Sequence, residues 1–192
     1  MTDAQPPETV PGSLYRAAWS FYLALAIAGV VWIGVRQGEI TSGLFFDPAG
    51  WWIDLGLGLG CGAVLLVSWR LGRRLLASID ELEGQIRDAL RGITPAEAVS
   101  LAIVSGFSEE LFFRGALQAS WGWVWGVVIF ALLHAHPRTF IGVWMLYALL
   151  AGTLFAQLTL VRGNIAAAVI AHVLVNALQL RRLARVATAQ PV

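Results

Sequence analysis

Apolar residues recur along this chain in long runs, without the alternation of a half-buried strand or the single stripe of a soluble helix. After Met1 to Ser13, a polar stretch with Pro6, Pro7 and Pro11 that reads as a disordered lead, the first run extends from about Tyr15 to Val35. Arg36-Gln37-Gly38-Glu39 closes it. About 20 residues suffice to cross a bilayer, and no convincing small-residue cleavage site follows, so the run predicts a retained transmembrane helix. A loop with Asp47-Pro48 leads to a second span from about Trp51 to Trp69. Gly56, Gly58, Gly60 and Gly62 give it two overlapping small-xxx-small pairs, suited to close helix packing.

From Leu71 to Ile93 the pattern becomes amphipathic. Leu71, Leu75, Ile79, Leu82, Ile86, Leu90 and Ile93 form a stripe, and Arg73, Arg74, Asp80, Glu81, Glu83, Arg87, Asp88 and Arg91 supply a polar side. This predicts a nearly straight helix on the bilayer surface or on the other helices, with its charges solvated. Thr94-Pro95-Ala96-Glu97 is a helix start, with Thr as cap, Pro in the first turn and Glu three residues after the cap. The third span runs from there to about Ser120. Trp121, Trp123 and Trp125 mark an interfacial belt, beyond which a fourth span continues to about His136-Pro137. A fifth occupies about Phe140 to Val161. Arg162-Gly163-Asn164 turns into a sixth, from Ile165 to about Leu180, ending in Arg181, Arg182 and Arg185.

The predicted fold class is all-α: a polytopic membrane helix bundle with about six transmembrane helices and one amphipathic interfacial helix. Three segments follow: the lead over 1–13, two transmembrane helices plus the amphipathic helix over 14–93, and a four-helix core over 94–185. Composition agrees, since 58% of the 192 residues are hydrophobic and 13% charged, far from a soluble domain. A net charge of +1 without a basic patch interleaved with aromatics gives no sign of nucleic acid as a partner. Cys61, alone in an apolar helix, offers neither a disulfide nor a thiolate metal site.

Every basic residue is Arg, and their placement orients the chain. With six crossings, Arg16, the five arginines from Arg70 to Arg91, Arg138 and the three from Arg181 to Arg185 share one side. Only Arg36 and Arg162 take the other. The positive-inside rule then predicts a multi-pass protein of the cell inner (plasma) membrane with both termini cytoplasmic.

The candidate chemistry lies in Ser108-Glu109-Glu110-Leu111-Phe112-Phe113-Arg114-Gly115. Each charge at membrane depth costs roughly 2.5–3.5 kcal/mol even on lenient scales, so three together need partners, water or a task. Glu110 and Arg114 stand four apart on one helix face and can pair, while Glu109 points about 100° away. The fourth span carries His134 and His136; the sixth carries His172 and Asn176, four apart on one face. A carboxylate, imidazoles and a carboxamide on three helices suffice for a hydrolytic site. His136 faces nearly opposite to His134 and reads as an interfacial residue. At ~1.5 Å per residue, Glu109 lies about 21 Å from Pro95, His172 about 14 Å from Arg181 and His134 about 6 Å from Arg138. These depths meet only if the third helix starts outside the membrane and helices tilt.

Glu109-Glu110-Leu-Phe-Phe-Arg114 resembles the Glu-Glu-x-x-x-Arg motif of the CPBP (CAAX protease and bacteriocin-processing, or Abi) family of intramembrane proteases. Phe130-Ala-Leu-Leu-His134 is similar to its Phe-x-x-x-His motif, and His172-Val-Leu-Val-Asn176 to its His-x-x-x-Asn motif. The resemblance covers about Thr94 to Arg181 and marks 94–185 as a CPBP-like catalytic core. It implies an intramembrane endopeptidase acting on a membrane-anchored or lipid-associated protein or peptide within the lipid bilayer. Glu109 and His134 would activate water, His172 and Asn176 would stabilise the oxyanion, and Glu110 and Arg114 would support them. No cofactor is required in that reading. In the alternative, one zinc ion would be held by Glu109, His134 and His172. Two other classes remain open, a proton-coupled transporter and a non-catalytic scaffold or immunity protein.

Overall fold

In the computed structural model, which describes residues 12–135 and 142–189, every regular element is helical. The predicted lead over 1–13 lies almost wholly outside the described residues. So do His136, Pro137, Arg138 and the predicted start of the fifth span at Phe140.

The first span forms helix α1, Ser13–Gln37, and stops at Gly38, whose φ of 88° is open to glycine and whose N–H caps the Gly34 carbonyl. A single turn, α2 (Ser42–Phe45), precedes α3, Trp51–Leu75. Helix α4, Ala77–Ala89, follows after extended backbone at Leu76. Helix α5, Pro95–Glu110, begins with the predicted capping box: the Thr94 hydroxyl accepts from the Glu97 N–H, and the Glu97 carboxylate accepts from the Thr94 N–H. It passes directly into a π-helical segment, Leu111–Gln118, and then into a final turn, α6 (Ala119–Trp121). Helices α7 (Trp123–Leu132), α8 (Val143–Arg162) and α9 (Ala166–Ala189) complete the order.

Among the described residues, four helices, α1, α3, α8 and α9, are long and apolar enough to cross a membrane. The bundle is apolar outside as well as inside: Phe21, Leu23, Ile27 and Val31 of α1, and Leu146 and Leu150 of α8, are exposed. That is how a helix meets lipid, since its backbone groups are already paired internally.

Several predicted boundaries move. The second span continues past Trp69 to Leu75, so Leu71 and Leu75, both exposed, belong to α3 and leave the amphipathic helix shorter. Its remaining stripe lies on other helices: Ile79 and Leu82 pack on Trp69, and Leu90 and Ile93 pack with Leu101, Leu183 and Ala184. Glu83, expected on a solvated face, is buried and takes a hydrogen bond from Trp69 Nε1 at 2.8 Å. Arg73 and Arg182 pair with it. The fourth span is a helix of 10 residues, about 15 Å, half the hydrocarbon thickness. Gly122, at φ 88° and ψ 162°, breaks the helix before it, and a turn at Leu133 ends it.

Helix α9 is the centre, packed on α5, α3, α8 and α4. Gly58 and Gly62 of α3 supply its close approach: a Cβ at Gly58 would stand 2.8 Å from the Ala167 carbonyl oxygen, and one at Gly62 2.8 Å from Leu174 Cδ2. Gly56 and Gly60 meet nothing within 4 Å, so one of the two predicted small-residue pairs is an interface. Helix α1 packs along α5 and the π segment. At the opposite end, the start of α5 and the end of α9 extend together with Leu90 and Ile93, so Glu109 lies well up a helix that begins at the bundle's rim.

Candidate active site

Glu109 and Glu110 are the last two residues of α5, immediately before the π segment. A π turn widens the helix and recurs at functional sites. Here it carries Arg114, the side chain that neutralises Glu110. Arg114 Nη1 donates to Glu110 Oε1 at 3.2 Å, and Nε lies 3.1 Å from Oε2 in an ionic contact without hydrogen-bond alignment. Arg114 Nη2 donates to the Gly152 carbonyl at 3.1 Å. Its guanidinium carbon stands 4.6 Å from the centre of the Phe130 ring and 5.5 Å from that of Phe155. Charge, backbone and aromatic faces together offset the desolvation of a cation that is 2% exposed.

Glu110 also orients His172. His172 Nδ1 lies 2.7 Å from Glu110 Oε1, and its ring stacks on Phe155 at 5.1 Å. An ionised carboxylate only accepts, so Nδ1 carries the proton and Nε2 is the nitrogen left for chemistry. Nε2 faces Glu109, with 3.9 Å to Oε2, a buried oxygen with no hydrogen-bond partner among the described residues.

His134 sits in the turn after α7. Its Nδ1 lies 2.7 Å from the Phe130 carbonyl, which can only accept, so here too the proton of the neutral ring sits on Nδ1 and Nε2 is the accepting nitrogen. The Phe130 ring stands 4.6 Å from the His134 ring and 6.2 Å from that of His172. The four-residue spacing from Phe130 to His134 thus supplies both a carbonyl that orients the imidazole and a ring that packs on it. Asn176, one turn beyond His172 on α9, donates from Nδ2 to Ser105 Oγ at 3.2 Å.

The structure brings Glu109, His134, His172 and Asn176 onto the wall of one cavity of about 360 Å³. Glu109 and His134 also line an adjoining cavity of about 290 Å³. Glu110 and Arg114 lie behind the wall, buried and paired. His136 lies outside the described residues. Among the described residues, no three His, Cys, Asp or Glu side chains converge as the ligands of a metal ion would, so the zinc set of Glu109, His134 and His172 is not assembled in this geometry.

Among the cavity residues that escaped sequence reasoning are Ser105, Tyr22 and Trp144. Ser105 had a signal, its spacing of four residues before Glu109. Tyr22 of α1 and Trp144 of α8 line both cavities from spans whose pattern only registers apolar character.

Residues 92–178 match a family model described as Rce1-like, the type II CAAX prenyl endopeptidase Rce1-like family. The matched segment is just under half of the chain and contains all six candidate residues. No curated protein and no solved structure matches the chain.

Proposed function

From the premise that residues 92–178 are an Rce1-like core of the CAAX-protease family, we propose that this membrane protein is an intramembrane endopeptidase using water activated by Glu109 and His134. The observation that carries the reading is the shared cavity, onto which three separate chain segments, α5, the turn after α7 and α9, bring a carboxylate, two imidazoles and a carboxamide. An ion pair of Glu110 and Arg114 stands behind them.

In this mechanism a water is held between Glu109 and Nε2 of His134. Glu109 takes its proton as the oxygen attacks the scissile carbonyl carbon. A C–O bond forms and the carbonyl electron pair moves to oxygen. Asn176 Nδ2–H and His172 Nε2–H donate to that oxyanion. To donate, His172 must carry a proton on both ring nitrogens, with Glu110 as counter-ion on the Nδ1 side. The intermediate collapses as the proton on Glu109 passes to the leaving nitrogen, the C–N bond breaks, and a carboxylic acid and an amine result. This route needs no metal. Purified protein is expected to keep its activity in chelator, and loss restored by stoichiometric zinc would replace it with the zinc alternative.

The substrate is proposed to be a membrane-anchored or lipid-associated protein or peptide, trimmed of a leader or a C-terminal tail. The plasma membrane, with both termini cytoplasmic, is the proposed location on the evidence of the arginine distribution. The deciding experiment compares membrane and secreted proteins of the host by mass spectrometry, wild type against Glu109→Gln at matched expression. Gln keeps the size but cannot serve as base. One or a few longer precursors are expected only in the variant. Identical profiles, with a deletion that still changes the cell, would transfer the protein to the scaffold class.

A further inference from the structure

Ser105 belongs to none of the three motifs, yet it is 3% exposed on the wall of the cavity that holds Glu109, His172 and Asn176. It precedes Glu109 by four residues and shares its face of α5. Its Oγ donates to the Ala102 carbonyl at 3.3 Å, which commits the one hydroxyl hydrogen to its own helix. What remains on Oγ is lone pairs, and Asn176 Nδ2 donates into them at 3.2 Å.

The consequence falls on Asn176. A carboxamide turned over by 180° exchanges its donor and acceptor ends with little change in shape. Only the NH₂ end stabilises an oxyanion; the Oδ1 end repels it. A hydroxyl whose hydrogen is already placed can only accept, so it selects the orientation that keeps nitrogen towards α5 and the cavity, with a second N–H left for a ligand. We propose that Ser105 is a positioning residue of the proteolytic site, holding the Asn176 carboxamide with its nitrogen towards the reacting carbonyl oxygen. Ser105 has this role only if the site hydrolyses peptide bonds as proposed above.

The test is a double-mutant cycle in steady-state cleavage. Purified protein in bilayer discs acts on the precursor that accumulates in the Glu109→Gln host. Ser105→Ala is expected to lower kcat about tenfold, the effect of about one lost orienting hydrogen bond, with KM within about twofold. In an Asn176→Ala background the same change is expected to add less than about twofold, because there is no amide left to orient. Ser105→Thr, which keeps the hydroxyl, should recover most of the rate lost in Ser105→Ala. An equal loss in both backgrounds, or a raised KM at unchanged kcat, makes Ser105 a packing residue and overturns the proposal while leaving proteolysis intact. No accumulating precursor, or wild-type cleavage no faster than Glu109→Gln, removes the proteolytic reading itself and the role of Ser105 with it.

Discussion

Arg114 sits at 2% exposure and Glu110 at 0%, so each depends on the other to remain charged away from water. Removing one partner of a buried pair leaves an uncompensated ion, which typically costs about 3–5 kcal/mol, whereas removing both costs far less. Arg114→Met is therefore expected to lower the thermal midpoint in a fixed detergent by well over 5 °C. Glu110→Gln combined with Arg114→Met should regain much of that loss. Under the proposed mechanism the double variant is still expected to cleave poorly, because Glu110 also fixes the His172 ring through Nδ1 at 2.7 Å. A wild-type midpoint for Arg114→Met alone would mean that the aromatic cage and the Gly152 carbonyl, not the pair, hold this part of the bundle together. At this scale the sequence was informative: the four-residue spacings placed Glu110 beside Arg114 and His172 one turn from Asn176. It gave no hint that Glu110 would reach across to α9, since a contact between residues 62 apart is set by how two helices dock.

The docking of α3 on α9 offers an internal control. Gly58 and Gly60 are neighbours in a helix of uniform character, yet a Cβ at Gly58 would meet Ile170 Cβ at 2.7 Å and one at Gly60 would meet nothing within 4 Å. Gly58→Ala forces two backbones apart and is expected to cost about 1–3 kcal/mol through overpacking. Gly60→Ala removes a residue of poor helix propensity and should be neutral or stabilising by up to about 1 kcal/mol. Equal thermal midpoints for the two variants would contradict this packing. The pattern of glycines announced an interface without saying which pair faces it, because two small-residue pairs offset by two positions point to different sides of one helix. Other elements were less legible for similar reasons. Nothing in an apolar run distinguishes a π turn from an α turn, and so the segment Leu111–Gln118 was invisible. The 10-residue length of α7 was hidden because apolar residues continue on either side of the glycine and the turn that bound it.

Across the whole molecule, charge is sorted by side and then trimmed by pairing. On the side of the α8–α9 turn, Arg162 is held by Asp54 at 2.5 Å and by Asp47 at 3.5 Å, and Asn164 donates to Asp54 at 3.3 Å. This ties the turn to the start of α3 and neutralises Arg162, one of the two arginines on that side. On the opposite side, Arg73 and Arg182 pair with Glu83, Arg91 pairs with Asp88, and the start of α5 packs on the end of α9. The excess of arginine on that side is the basis of the proposed orientation, with α4 and the C-terminal end of α9 in the cytoplasm. Impermeant thiol labelling in intact cells tests this, after Cys61 is replaced by Ala. A cysteine at Ala49, beside α3, is expected to react from outside, and one at Gly92, between α4 and α5, only after the membrane is opened. The reverse pattern would invert the molecule and turn the α4 end of the 360 Å³ cavity towards the exterior. Since α4 supplies Leu82, Glu83 and Ile86 to that cavity, the labelling also fixes which compartment the α4 end of the cavity faces.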